Sequence, residues 1–271
     1  MSIEYEMRFS RNIGIFTREE QLLLKNTAIA IAGTGGVGGM LAERLVRLGI
    51  GTLKLSDSGT FEPSNLNRQF GSAQHTMDRY KAEVVCQEIN HINPDAVITC
   101  DHRGIHTQEE ADQLVAGCRL VIDEMDYGAW KESIFLQRAA RKEGIHYLFA
   151  GAIGFGALVT NFAPKGITLE EYNGLEPGID LETIEVGAVS QERILPIMPS
   201  YAGDAMSMDM VQEIITGQRP VPTCSIGVGL ASILAAQEVV NSVLNRKPLI
   251  TAPEYIYVDL MDRRFETGSM T

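Results

Sequence analysis

Ala28-Ile-Ala-Ile-Ala32 runs straight into Gly33-Thr-Gly35-Gly36-Val-Gly38-Gly39, followed by Met40, Leu41, Leu45 and Leu48 at helical spacing, with Gly49 as the stop. The first run is short, apolar and partly β-branched, the pattern of a buried strand. The apolar residues after the glycines mark one face of a helix that ends at glycine. Strand, glycine loop and helix in this order make a βα unit. Its glycines let backbone N–H groups approach a phosphate, and the helix N-terminus favours anionic charge. A tight turn without a ligand is the lesser reading in this setting. Asp57 closes the next predicted strand, Thr52 to Ser56, about where an acidic residue bonds a ribose hydroxyl in dinucleotide-binding folds. These features mean an adenosine nucleotide and do not separate NAD from ATP.

Outward from that unit, the pattern repeats. Thr17-Arg-Glu-Glu20 and Thr107-Gln-Glu-Glu110 are capping boxes that open helices. Further helices are expected over Arg79–Asn90, Lys131–Lys142, Asp204–Ile215 and Ser225–Leu244. Strands are expected over Ala96–Thr99, Leu120–Asp123 and Tyr147–Ala150, with Leu158–Phe162 antiparallel to the rest and Tyr255–Asp259 closing the chain. Alternating strands and helices of this length indicate an α/β fold: a Rossmann-like, doubly wound, mostly parallel sheet with helices on both faces, extended by antiparallel strands. No repeat or linker interrupts the 271 residues, read as one domain over 1–271 with a nucleotide-binding half (1–164) and a crossover and substrate-side half (165–271).

The segment after Asp57 separates ATP from NAD. Glu62-Pro-Ser64-Asn65-Leu-Asn-Arg68-Gln69-Phe is followed by Lys81, thirteen residues after Arg68. Hydride transfer needs few fixed cations here. Adenylation needs positive charge on all three phosphates while pyrophosphate departs. Arginine offers a planar fork to phosphate oxygens and lysine a compact charge. The glycine loop, Asp57, Ser-Asn-Leu-Asn-Arg-Gln and Lys81 together resemble the ThiF family of adenylating enzymes, the activators of ubiquitin-like and sulfur-carrier proteins. The resemblance runs from about Arg8 to Pro164, and more loosely from Cys224 onward. It implies that Gly33, Gly35, Gly36 and Gly38 hold the nucleotide, with Asp57 on its ribose. It likewise implies that Ser64, Asn65, Arg68 and Lys81 hold its phosphates, and that Asp126 in Val121-Ile-Asp-Glu-Met-Asp126 helps to bind magnesium. Arg11 resembles an arginine that reaches ATP across a homodimer interface. The implied activity is an ATP- and magnesium-dependent adenylyltransferase. Its partner would be a small carrier protein or peptide with an accessible C-terminal carboxylate.

The chain also departs from that pattern. It lacks the two CxxC pairs that hold a structural zinc, so no zinc is expected. His102 and His106 are read as loop or surface residues. Tyr127 stands where the family commonly has asparagine. No cysteine lies between Ile167 and Thr223, which speaks against thioester transfer from a crossover-loop thiol. Cys224, before the last long helix, is the one candidate nucleophile, though a small buried residue at a packed helix start is the commoner use. Its segment, Cys-Ser-x-Gly-x-Gly, resembles the bacterial enzymes that cyclise threonylcarbamoyl-adenosine in tRNA by ATP-driven dehydration. That keeps dehydration of a small or tRNA-linked carboxylate as the alternative. A dehydrogenase and a non-catalytic nucleotide-binding scaffold are the other rivals. Met198, Met206, Met208 and Met210 are read as core fillers, with a peptide-binding wall as the second reading. Gly151, Gly154 and Gly156 are expected to break the fifth and sixth strands near the substrate.

Composition sets the remaining bounds. The net charge of −12 argues against general nucleic-acid binding. The apolar stretch Ile226 to Ala236 is read as a buried helix rather than a membrane span. Four scattered cysteines without a disulfide framework suggest a reducing cytoplasm.

Overall fold

β1 (Ala28–Ala32) is buried on both faces from Ile29 onward, which is why its sequence is apolar without alternation. In the computed structural model it lies between β2 (Thr52–Ser56) and β4 (Leu120–Asp123), parallel to both. β3 (Val97–Asp101) pairs with β2 at one edge, and β5 (His146–Ile153) pairs with β4, all parallel. β6 (Gly156–Phe162), β7 (Glu254–Asp259) and β8 (Arg264–Ser269) then add antiparallel strands. The eight-stranded order is β3-β2-β1-β4-β5-β6-β7-β8. The order in which strands are added reverses between β1 and β4, so a crevice opens beyond their C-terminal ends, the usual ligand position in such sheets. The structure describes residues 3–126, 128–183, 199–215 and 218–270.

Helices cover both faces. On one lie α2 (Arg18–Lys25), α3 (Gly36–Leu48), α4 (Lys81–Ile92) and α9 (Ser225–Leu244), packed on Ile29, Ile31, Leu53, Leu148 and Val159. On the other lie α5 (Gln108–Val115), α6 (Trp130–Glu143) and α7 (Leu169–Tyr172), packed on Ala30, Val121, Tyr147 and Phe162. Both capping boxes form: Thr17 Oγ1 accepts from Glu20 N–H at 3.1 Å, and Thr107 Oγ1 from Glu110 N–H at 3.2 Å. The N-terminal arm, α1 (Ile3–Arg8), docks by buried Tyr5, whose hydroxyl donates to Gly49 O at 2.7 Å. By length and composition α9 could span a membrane, but more than half of its apolar window is buried in the fold, against α3, β5 and β6.

Gly229 sits inside α9 with nothing within 4 Å of where a Cβ would be. Gly229→Ala therefore adds helix propensity without a clash. It is expected to stabilise the protein by about 0.5–1 kcal/mol, read as a higher thermal midpoint.

Several expectations need correction. β8 was not anticipated: Arg-Phe-Glu-Thr-Gly-Ser has little apolar content because this edge strand leaves alternate residues exposed. β5 runs through Gly151 without a break, in continuous register with β6. The two-residue turn falls at Gly154-Phe155 instead. α8 (Met208–Ile215) starts four residues later than expected. Met208 is 82% exposed, and Met206 and Met210 are only partly buried, so these methionines fill no core. Met198 and Tyr127 lie outside the described residues. Cys86 on α4 and Cys100 on β3 form a disulfide with Cα atoms 6.4 Å apart. The βα crossover brings them together, which fourteen residues of separation did not reveal. Cys86 and Cys100 being paired, unpaired cysteines no longer point to a reducing compartment. His102 and His106 are exposed as expected, pairing with Glu83 and Arg103 O.

Candidate nucleotide-binding site

The glycine loop fills the crevice beyond β1 with almost no slack. Gly33 has φ +89°, and its N–H donates to Ser56 O at 2.8 Å. A Cβ at Gly33 would sit 2.3 Å from Glu124 O, and one at Gly38 would sit 1.9 Å from Gly33 O. Only glycine fits either position. Asp57 holds this loop directly. Its Oδ2 accepts from Thr34 N–H at 2.6 Å and Thr34 Oγ1 at 3.1 Å, and its Oδ1 from Gly59 N–H at 2.7 Å. A carboxylate has about four acceptor positions, so Asp57 keeps capacity for a ribose hydroxyl after ordering the loop.

The second wall is the segment after β2. Asn65 is buried and builds its turn: Oδ1 accepts from Glu62 N–H at 3.0 Å, and Nδ2 donates to Ser64 Oγ at 3.2 Å. That turn presents Arg68, whose Nη1 donates to Ser64 O and Asn67 Oδ1 and whose Nε lies 3.7 Å from the Cβ position of Gly36. The guanidinium thus stands at the start of α3. Lys81 is the first residue of α4, and its Nζ lies 3.3 Å from the Cβ position of Gly59, beside Asp57. Neither Arg68 nor Lys81 forms an ion pair with a described residue. Gln69, buried against Gly35, leaves Oε1 without a hydrogen-bond partner.

The end of β4 closes the third side. Asp123 is buried, and burial pushes its carboxyl above the usual range although Tyr147 OH and Met125 N–H donate to it. Glu124 turns its carboxyl inward beneath the glycine loop. It accepts from Ala150 N–H, while Oε1 has no partner. Burial, and then the Asp123 charge, push it well above the ordinary carboxylate value. Asp126 is exposed, one residue beyond Met125, whose N lies 2.8 Å from the Cβ position of Gly33. Cys224 caps α9 on the fourth side, half-buried, with Sγ 3.4 Å from Gly154 O. Asn67 Nδ2 ties the Arg68 segment to Thr223 O at 3.1 Å, and Thr223 Oγ1 is buried without a partner. Arg11, in a 3-10 turn (Ser10–Asn12), is exposed, and no hydrogen bond or ion pair joins it to these groups among the described residues.

The sequence reading missed Glu124, Gln69, Asn67 and Thr223 as site residues. A carboxylate directly after an apolar strand, next to Asp123, was a usable signal for Glu124; nothing comparable marked Thr223. The raised Glu124 pKa makes a pH prediction. Below the unfolded carboxylate pKa of about 4.3, both states hold the proton and the cost is nil. As pH rises from there, the unfolded state ionises first, and stability falls until the folded pKa is reached. Glu124→Gln keeps the acceptor for Ala150 N–H and cannot ionise. It is expected to melt higher than the parent at pH 8, with the difference vanishing near pH 4.

A strand, glycine loop and helix at the switch point, with Asp57, Arg68 and Lys81 around them, define an α/β protein of the Rossmann type. The chain belongs to the ThiF family, whose model matches residues 9–270. It is 30% identical over 150 residues to the tRNA threonylcarbamoyladenosine dehydratase of Haemophilus influenzae, covering 55% of this chain and 57% of that protein. It is 31% identical over 160 residues to the sulfur carrier protein ThiS adenylyltransferase of Escherichia coli, covering 58% and 62%. The chain thus spans about three fifths of the length of these relatives. E. coli MccB, crystallised with ATP, superimposes with a TM-score of 0.73 at 19% identity, over 100% of this chain and 74% of MccB, and shares the fold.

Proposed function

We propose that the chain is an adenylyltransferase that uses ATP to activate a substrate carboxylate. The observation that carries this reading is the pair Arg68, beside Gly36 of the glycine loop, and Lys81, beside Gly59 and Asp57, neither in an ion pair among the described residues. A carboxylate oxygen attacks the α-phosphorus, the bond from that phosphorus to the bridging oxygen breaks, and pyrophosphate leaves with the electron pair. The product is an acyl-adenylate. The loop N–H groups and the start of α3 hold the phosphates. Arg68 and Lys81 offset charge that builds on the departing pyrophosphate, and positioning supplies the rest without a protein nucleophile. The donor set suits the nucleotide: two tight glycines, Gly33 and Gly38, an anchoring aspartate and Gln69 Oε1, without a hydrogen-bond partner among the described residues, surround one crevice. Magnesium suits it too, since it takes one or two carboxylates plus phosphate oxygens; Asp126 would hold it and Ser64 would face the phosphates.

The substrate we infer is the C-terminal carboxylate of a small carrier protein or peptide, reaching the crevice along β5 and β6. A homodimer would bring Arg11 of one copy to the other's ATP. A second reading, ATP-driven dehydration of a tRNA-linked or small carboxylate, is favoured by the similarity to the dehydratases. ATP–pyrophosphate exchange separates the two. Exchange that requires a carrier ending in Gly-Gly, and is lost in Arg68→Ala and Asp126→Ala, supports the first. Exchange that requires modified tRNA supports the second. No ATP binding at all would overturn both.

A further inference from the structure

Tyr201 is the hub of a buried polar cluster that the adenylation chemistry does not use. Its hydroxyl donates to Asp259 Oδ2 at 2.7 Å and accepts from Phe155 N–H at 2.7 Å. Tyr257 OH donates to the same Asp259 oxygen at 3.1 Å, and Asp262 N–H to the other at 2.8 Å. Asp259 is only 1% exposed. Burial, with the Asp259 carboxylate adding to it, pushes the Tyr201 phenol up to about 12, so it stays a donor at neutral pH.

From this hub a run of tight contacts leads to the phosphate-side arginine. Gly154, at φ +60°, presses on Tyr201: a Cβ there would lie 2.7 Å from the hydroxyl. Gly154 O in turn backs the start of α9, where a Cβ on Gly227 would lie 2.4 Å away. Gly154 also bridges Thr223, whose carbonyl accepts from Asn67 Nδ2 at 3.1 Å. Asn67 Oδ1 accepts from Arg68 Nη1 at 2.9 Å. On a parallel path, Val228 of α9 lies 3.1 Å from the Cβ position of Gly36, next to Arg68 Nε. Close-packed backbone with no void transmits displacement instead of absorbing it. A hydrogen-bonded hub at one end therefore fixes the guanidinium at the other.

We propose that Tyr201 is a positioning residue for Arg68, acting through the Gly154-Phe155 turn, the start of α9 and Asn67. The inference rests on Arg68 meeting the triphosphate. Tyr201→Phe removes the hydroxyl that ties the turn to Asp259 and keeps the ring that packs against Phe155. Asn67→Ala cuts the same path near its far end, at an exposed residue whose loss does not threaten the fold.

The test is the ratio of affinities for ATP and for adenosine, measured by calorimetry in the full chain for the parent, Tyr201→Phe, Asn67→Ala, their double variant and Arg68→Ala. Adenosine binding reports the pocket; the ratio reports the phosphate contacts. Tyr201→Phe and Asn67→Ala are each expected to lower the preference for ATP about three- to tenfold, with adenosine affinity held within twofold. The double variant is expected to lose no more than the larger single loss, since both cut one path. A purely local role for Tyr201 would lower the melting temperature and leave the ratio alone, overturning the proposal. Additive losses in the double variant would also overturn it. If Arg68→Ala itself left the ratio unchanged, the phosphate role of Arg68 would fall, and that failure would be distinct from the loss of coupling.

Discussion

Arg68→Ala is expected to lower ATP–pyrophosphate exchange by about 10²–10³-fold with little change in melting temperature. The two halves of this expectation come from different contacts. Among the described residues the guanidinium donates only to Ser64 O and to the neighbouring Asn67 side chain, both at the surface. It anchors no core residue and neutralises no buried carboxylate, so stability should change by no more than about 0.5 kcal/mol. Its position is what counts for chemistry. It stands over the start of α3, where the proposed site would hold the phosphates, and its charge has no ion-pair partner among the described residues. Negative charge grows on the leaving pyrophosphate as the reaction proceeds, so a fixed cation there is worth more in the transition state than in the ground state. Arg68→Lys should recover only part of the loss, because an ammonium restores charge and not the two-pronged geometry. Exchange rates and thermal melts on the three proteins decide it. A loss below tenfold in Arg68→Ala would remove the arginine from the chemistry.

How far the sequence alone reaches is clearest at the ends of the strands. β1, β2, β4 and α9 fall at the expected residues, because each is an unbroken apolar run or a long apolar period bounded by glycine or polar residues. β8 carries no such pattern: its neighbour on one side is solvent, so burial imposes little on its residues. The Cys86–Cys100 disulfide was hidden for another reason. It joins a helix to a strand packed beneath it, and that proximity belongs to the crossover and not to any spacing. The glycines, Asp57, Arg68 and Lys81, named from the sequence by residue type and spacing, lie around one crevice. The roles of Asn65 and Asp57 were only half visible. Asn65 spends its amide on the turn that carries Arg68, and Asp57 orders the loop through Thr34 and Gly59. Such supporting hydrogen bonds depend on where two segments meet in space. The same holds for Glu124, Thr223 and Tyr201, whose neighbours are distant in sequence.

Gly38→Ala should cost both stability and nucleotide binding through a single methyl group. Gly38 is the third residue of α3 and its φ is not positive, so alanine is compatible with its backbone. By propensity alone the change would stabilise a helix interior by about 1 kcal/mol, as Gly229→Ala is expected to do in α9. The clash reverses the sign. The new Cβ would lie 1.9 Å from Gly33 O and 3.2 Å from Glu124 Cβ. Gly33 cannot retreat: its N–H is bonded to Ser56 O, and it already rests on the Glu124 carbonyl. Either α3 or the loop must lift, by roughly 1.5 Å to reach ordinary contact. Overpacking of this kind costs about 1–3 kcal/mol of stability. A displacement of 1 Å at groups that align a reacting phosphate costs about 10²-fold in rate. The expected result is a lowered melting temperature together with a loss of ATP affinity and of exchange, while Gly229→Ala raises the melting temperature and leaves both intact. ATP titrations and melts of the two variants side by side separate steric closure of this loop from any general intolerance of helical glycines. Normal ATP affinity in Gly38→Ala would mean that the phosphates do not lie where α3 meets Gly33, and the site would have to be moved.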